Sequence, residues 1–294
     1  MHPLTPRPTL ARILTVMTLA PPLIHVPRGD LPVILSVPHS GRDYPDWLVA
    51  LSSGGRRALT SLEDPFVDRL AWRALNRGIG AVIARTPRAA IDCNRAEDEV
   101  DPSVVEGGRR ERLTARARGG LGIIPARTPQ FGYLWRSAVP RDQLNARLEQ
   151  AHRPYHDAIA EMIAQTVERF GCAVLLDCHS MPPPVVGTAE IVLGDRRGRS
   201  SGWWVSSEAL RIARDCDFEV GLNEPFAGGH VVERHGDPAR NIHALQIEID
   251  RSLYLEPSLR EPGAEFDRLA RFLDTLAVRL GEHLLRQPFA TAAE

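Results

Sequence analysis

No lysine occurs among the 294 residues, and all 36 basic side chains are arginine. Schiff-base and pyridoxal-phosphate lysines, the phosphate-loop lysine and the protein-kinase lysine are excluded together, because each of those sites is built on that residue. Cysteine is scarce as well. Cys93, Cys172, Cys178 and Cys216 form no CxxC pair, which argues against a disulfide framework or a cysteine-rich zinc module and for free thiols in a reducing cytosol, so a cytoplasmic location is expected. Runs of about 20 apolar residues are absent, so no spanning helix is expected. An apolar stretch from Ile13 to Leu23, behind Arg7 and Arg12, faintly imitates a secretory signal, but Pro21, Pro22 and the missing small-residue cleavage site argue against export. Nor is there an excess of charge: 36 − 37 gives −1, which removes the footprint of a nucleic-acid or anionic-membrane binder and leaves a small molecule or a protein as partner.

What remains is ordinary globular composition, with 43% hydrophobic and 25% charged residues. Short apolar runs at Val33 to Val37, Ala81 to Thr86, Ala173 to Asp177, Glu190 to Gly194 and Ala244 to Ile249 read as strands buried on both faces. Helical spacings of three and four fill Asp64 to Arg77, Asp142 to Phe170 and Phe266 to Leu285, with Pro154 expected to kink the second or mark its true start. The alternation predicts a three-layer αβα domain with a mixed, mainly parallel sheet. Residues 1–294 read as a single domain, with 1–23 a candidate for a poorly ordered extension. The stretch from Ala96 to Gln130, acidic and then arginine-rich, has too few apolar residues for a core element and reads as an excursion or lid.

Sites in open α/β sheets lie beyond the carboxyl ends of strands. Three runs lead there into polar clusters: Pro38-His39-Ser40-Gly41, Cys178-His179-Ser180-Met181 and Asp92-Cys93-Asn94-Arg95. Two histidines after two separate strands can converge on one metal ion, with a carboxylate from Glu63 or Asp64 as third donor and a fourth position left for water. A hydrogen-bonded structural histidine is the simpler reading of either alone. Glu248 lies in the otherwise apolar strand ALQIEI, where an unpaired carboxylate is costly to bury. It is read either as the partner of an arginine or as a general base. Arg95 either pairs with Asp92 or offers its planar fork to a substrate carboxylate. The GGH at Gly228 to His230 most simply makes a close-packed turn, although His230 could reach a nearby site. Ser40 and Ser180 sit in no G-x-S-x-G elbow, and the arginines from Arg109 to Arg118 read first as a solvated face.

Seven motifs in order, LSVPHSGRDYP (Leu35 to Pro45), EDPFVDRL (Glu63 to Leu70), IDCNR (Ile91 to Arg95), HRPYH (His152 to His156), LLDCHSM (Leu175 to Met181), FAGGHVVERHG (Phe226 to Gly236) and HALQIEI (His243 to Ile249), resemble the N-formylglutamate amidohydrolase (deformylase) family. The resemblance spans roughly Ile24 to Tyr254. It implies a zinc carboxypeptidase- and aspartoacylase-like α/β fold, one zinc per chain, and cleavage of a small anionic N-acyl amino acid, N-formyl-L-glutamate, to formate and glutamate, with a place in histidine degradation. Carried to matching positions, it implies His39, Asp64 and His179 as zinc ligands, Asp64 being preferred to Glu63 because Asp68 follows it by four residues. It also implies Glu248 as the acid-base residue and Asn94 with Arg95 as the carboxylate clamp. His230 and Arg136 complete the candidate substrate-binding set. A GGH where a GGY-like motif is expected, and the poor match of the excursion, bear on which acyl group is taken. A related zinc deacylase or peptidase and a non-catalytic binding protein are the rival readings.

Overall fold

The computed structural model describes residues 17–107, 114–183 and 189–287. The first part of the Ile13 to Leu23 stretch, and Arg109 to Leu113 of the arginine-rich run, lie outside the described residues. Where the proposed extension is described, it packs: Met17 and Leu19 are buried, and the Leu19 N–H donates to Gln150 Oε1 at 2.8 Å.

Among the described residues the main sheet has seven strands: β1 (Leu23–His25), β2 (Val33–Val37), β3 (Gly80–Ile83), β6 (Ala173–Met181), β7 (Ile191–Gly194), β8 (Val220–Leu222) and β9 (Ile242–Asp250). The order across the sheet is β1-β3-β2-β6-β9-β7-β8. β3, β2, β6 and β9 run parallel, β1 and β7 join antiparallel, and β8 pairs parallel with β7. The expected mixed, mainly parallel α/β architecture is therefore present. A separate two-stranded ribbon, β4 (Arg127–Thr128) with β5 (Gly132–Tyr133), lies in the excursion.

Side chains alternate across a strand, and the two faces bury different helices. Val33, Leu35, Val174, Leu176, Leu245 and Ile247 share one apolar cluster with helices α3 (Val67–Leu70), α4 (Trp72–Asn76), α8 (Trp203–Asp215) and α10 (Phe266–Arg286). Ile34, Val82, Leu175 and Ala244 face the other way, onto α7 (Arg153–Phe170) and α9 (His230–His235). Continuous apolar strands follow from this double cover. On the α7 side the alternation continues into polar residues toward the carboxyl ends: Ser36 on β2, Asp177 and His179 on β6, Gln246 and Glu248 on β9.

Two local expectations need correction, and one is met. The run from Asp64 to Arg77 is two short helices rather than one, because Pro65 and a left-handed Phe66 (φ 59°) precede α3. Pro154 does mark a start: α6 (Arg141–Arg147) passes through a π-helical turn (Leu148–His152) into α7, which carries the proline in its first turn. The excursion is not devoid of core. Val100, Val104, Val105, Ile123 and Ile124 are buried in a second apolar cluster with Leu48, Leu59, Leu134 and Leu144 of helices α1 (Asp46–Leu51), α2 (Gly55–Thr60) and α6 and their connections, and one short helix, α5 (Ala115–Arg118), stands within it. Among the described residues no helix is long and apolar enough to cross a membrane, and the four cysteines are free.

Candidate active site

His39 follows β2 directly, fixed in direction by Pro38, and its carbonyl accepts the Asp64 N–H at 3.0 Å. The Ser40 hydroxyl donates to the Asp64 carbonyl at 2.9 Å. His179 lies within β6, and the parallel register sets it opposite Glu248 of β9. These constraints bring His39 Nδ1, His179 Nδ1 and Asp64 Oδ2 together: the nitrogens are 3.0 Å apart, and the carboxylate oxygen is 3.2 Å and 3.0 Å from them. All three residues are nearly inaccessible to solvent. Glu63 goes elsewhere, accepting from the Tyr44 hydroxyl at 2.6 Å.

The far nitrogens of both rings meet carboxylates. His39 Nε2 lies 2.8 Å from Asp92 Oδ1, and His179 Nε2 lies 2.9 Å from Asp177 Oδ2. A carboxylate can only accept, so both Nε2 atoms carry the proton and both Nδ1 atoms turn lone pairs toward each other and toward Asp64. Three converging lone pairs in a dry pocket require positive charge among them. The protonation equilibria show the same demand. Burial works against a charged His179, yet Asp177 and Asp64 raise its pKa well above the usual imidazole range. Burial likewise opposes an ionised Asp64, and the facing histidines hold its pKa well below the usual carboxylate range. Two imidazoles and a carboxylate, with each imidazole oriented by an outer carboxylate, form the donor set of a zinc-class ion, so these residues fit such a group.

Asp177 and Asp92 were not singled out as orienting residues by sequence. The first had a signal, since Asp177 and His179 are two apart on one strand and so share a face. Asp92 had none, because it meets His39 from a different segment. Asp92 also accepts from the Arg88 Nε–H at 2.9 Å, and Arg88 and His39 overcome the effect of burial to hold its pKa low. Asp64 Oδ1 accepts from Arg251 Nη2 at 3.0 Å.

Glu248 lines the same cavity, about 510 Å³ in volume, as His39, Asp64 and His179. Its Oε1 accepts from Gln246 Nε2 at 2.9 Å. No arginine is ion-paired with it among the described residues, and burial, reinforced by Asp64, pushes its pKa up to about 7 against the pull of His179 and Arg88. A carboxyl group so poised exchanges a proton near neutrality.

Asn94 and Arg95 also reach the cavity. The Asn94 amide nitrogen lies 3.1 Å from His179 Nε2, and its Oδ1 accepts the Val231 N–H at 2.8 Å. Arg95 does not bond to Asp92; it donates to the carbonyls of Leu121 (2.7 Å) and Asn94 (2.6 Å). Arg116 and Arg127, from the excursion, line the cavity and likewise donate to backbone carbonyls. None of these three guanidiniums is ion-paired among the described residues, and all three line the cavity. At Arg116 the solvated-face reading therefore does not hold. Arg136 is not brought to this cavity; its Nε donates to Ser52 O at 2.9 Å. His230 is not brought there either, and lies against His152 and His156. The glycine before it makes the expected close approach, since a Cβ on Gly229 would fall 2.3 Å from Asn94 Oδ1.

A buried glutamate of raised pKa thus lies beside two histidines and an aspartate at the carboxyl ends of a mixed sheet. The comparisons place the chain among the amidohydrolases and make the class specific: it belongs to the N-formylglutamate amidohydrolase family, whose model matches residues 31–255. It is 30% identical to an N-formylglutamate deformylase of Pseudomonas putida, over 88% of this chain and 94% of that one. With a second deformylase, from Pseudomonas aeruginosa, it shares 29% identity over 78% of this chain and 84% of the other. The crystal structure of an N-formylglutamate amidohydrolase from Ralstonia eutropha JMP134 superposes with a TM-score of 0.83 at 31% identity, covering 91% of this chain and 99% of that one.

Proposed function

We propose that the protein hydrolyses the amide bond of a small anionic N-formyl amino acid, with N-formyl-L-glutamate as the substrate, using zinc held by His39, Asp64 and His179. The observation that carries this is the convergence of three donor atoms at 3.0 to 3.2 Å within one cavity that also holds Glu248. A bound zinc ion supplies Lewis acidity to water and to an acyl carbonyl, lowering the pKa of water toward about 7. Glu248 takes the proton of the attacking water and returns it to the departing amine nitrogen. Asp92 and Asp177 hold the two imidazoles in the tautomer that presents Nδ1. Arg95, Arg116 and Arg127 attract the substrate carboxylates, and Asn94 positions the substrate against His179. No covalent enzyme intermediate is required.

Formate release from N-formyl-L-glutamate, measured before and after chelation alongside elemental analysis, tests the proposal. Chelator-sensitive release restored by zinc is expected. No release by the zinc-replete enzyme, with turnover of an N-acetyl amino acid or a peptide instead, overturns the substrate assignment.

A further inference from the structure

Two motifs remain without a role in that mechanism: HRPYH at His152 to His156 and the histidine of GGH. His152 and His156 are one turn apart, His152 closing the π-helical turn and His156 lying in the first turn of α7. Residues four apart share a helix face. His230 opens α9. The structure gathers the three rings at centroid distances of 4.5 Å (His152 to His156), 5.3 Å (His156 to His230) and 6.3 Å (His152 to His230). One ring nitrogen from each lies within 4.8 Å of the others.

The hydrogen bonds identify which nitrogens these are. His152 Nε2 lies 2.8 Å from the Arg95 carbonyl, and His156 Nε2 lies 2.9 Å from the Cys93 carbonyl. Carbonyls only accept, so both Nε2 atoms are protonated and both Nδ1 atoms are bare. His152 Nδ1 is buried with no hydrogen-bond partner, and so is His230 Nε2. His152 is fully buried. Such groups are costly to leave unsatisfied. His156 Nδ1 accepts from the His235 Nε2–H at 2.9 Å, a bond that an ion at this nitrogen would replace. The two carbonyl bonds repeat what orients histidine on a metal, where the second ring nitrogen donates to the backbone. Donor nitrogens on a tetrahedral ion at ~2.1 Å stand about 3.4 Å apart, inside the 4.8 Å bound of the observed cluster.

We propose that His152 Nδ1, His156 Nδ1 and His230 Nε2 bind a second divalent transition-metal ion of the zinc class, apart from the hydrolytic centre, and that this ion is structural. Imidazole-only donors select zinc and its neighbours rather than calcium or magnesium. The carbonyl bonds to Nε2 leave the lone pairs of His152 Nδ1 and His156 Nδ1 as the ligand atoms, the form of imidazole that binds metal. The bracketing carbonyls belong to Cys93 and Arg95, the neighbours of Asn94, so the ion ties α7 and α9 to the segment that carries the substrate-facing asparagine.

The test is a cobalt count on protein stripped of metal and reloaded, with Co²⁺ as a visible probe. Two equivalents are expected in the wild type, one in His39→Ala/His179→Ala, one in His230→Ala, and none when all three changes are combined, each variant being checked for native circular dichroism. His230 is only partly buried, so its replacement is the gentler way into the cluster. A single wild-type equivalent that vanishes in His39→Ala/His179→Ala overturns the second site. A single equivalent that survives there and is lost in His230→Ala overturns the hydrolytic site instead, so the two proposals fail separately.

Discussion

Replacing Asp177 by asparagine isolates the charge behind His179. Asp177 is fully buried; its Oδ2 accepts from His179 Nε2 at 2.9 Å, and its Oδ1 accepts from the Ser36 hydroxyl at 2.7 Å. Ser36 Oγ is in turn 2.7 Å from the Tyr155 hydroxyl. Asparagine has the same shape: its carbonyl can still accept from His179, and its amide can donate to Ser36, whose proton then turns to Tyr155. The heavy-atom contacts are kept; the charge is lost and the buried Tyr155 hydroxyl gives up its acceptor. A bond to a charged group contributes about 1.5–3 kcal/mol against roughly 1 for a neutral one. The difference, ~1–2 kcal/mol, is about 5- to 30-fold in an equilibrium constant, close to the 10- to 100-fold typical of outer-shell changes. Zinc affinity measured by competition with a chromophoric chelator should therefore fall about tenfold in Asp177→Asn, and further in Asp177→Ala, where the His179 N–H is orphaned. Asp267→Asn, which alters a surface pair with Arg73, serves as the control. If Asp177→Asn holds zinc within about threefold of the wild type, the orienting role of Asp177 is refuted.

Glu248→Gln should retain metal and lose about 10²- to 10⁴-fold in kcat for formate release; a variant keeping more than about a tenth of the activity would show that Glu248 is not the base. Gly229→Ala drives a methyl into the Asn94 side chain and should lower kcat/KM at least about tenfold, at a stability cost of about 1–3 kcal/mol by thermal melting; an unchanged kcat/KM would separate Asn94 from catalysis. Arg95→Ala should weaken kcat/KM for a dicarboxylate formyl amino acid more than for an uncharged formamide, and equal losses argue against a carboxylate anchor. His230, His235 and His243 all have pKa values pushed down to about 4, chiefly by burial. The unfolded chain takes up their protons near 6.5 and the folded chain near 4, so their contribution is complete above about 6.5 and is lost on acidification toward 4. Urea midpoints across that window should fall with pH, with a slope reduced by up to about one proton in His243→Gln, and a flat profile contradicts the burial account.

How much of this was legible varied with the physics of each segment. β2 was read to the residue, because five apolar side chains buried on both faces leave no ambiguity. β6 was cut short at Asp177, since Asp-Cys-His-Ser looks like a loop; it continues as strand because β9 flanks it through Met181. β1 and β8, three residues each, have no pattern to detect, and the mixed composition of α8 hid its amphipathic face. The candidate ligands were legible because strand ends followed by histidine are conspicuous. What no local pattern could reveal was contact between distant segments: Asp92 behind His39, Arg116 and Arg127 turned into the cavity, and His230 placed with His152 and His156 rather than in the cavity lining.

The central place of β6 has a consequence for synthesis on the ribosome. His39 and His179 are separated by 140 residues, and β6 pairs with β2, made earlier, and with β9, made last. A nascent chain that has emerged through β6 already owns His39, Asp64 and His179, the ligands proposed above, but lacks Glu248, the proposed base. The edge of β6 stays open until β9 is made, so the strand that completes the middle of the sheet is also the one that delivers Glu248 opposite His179.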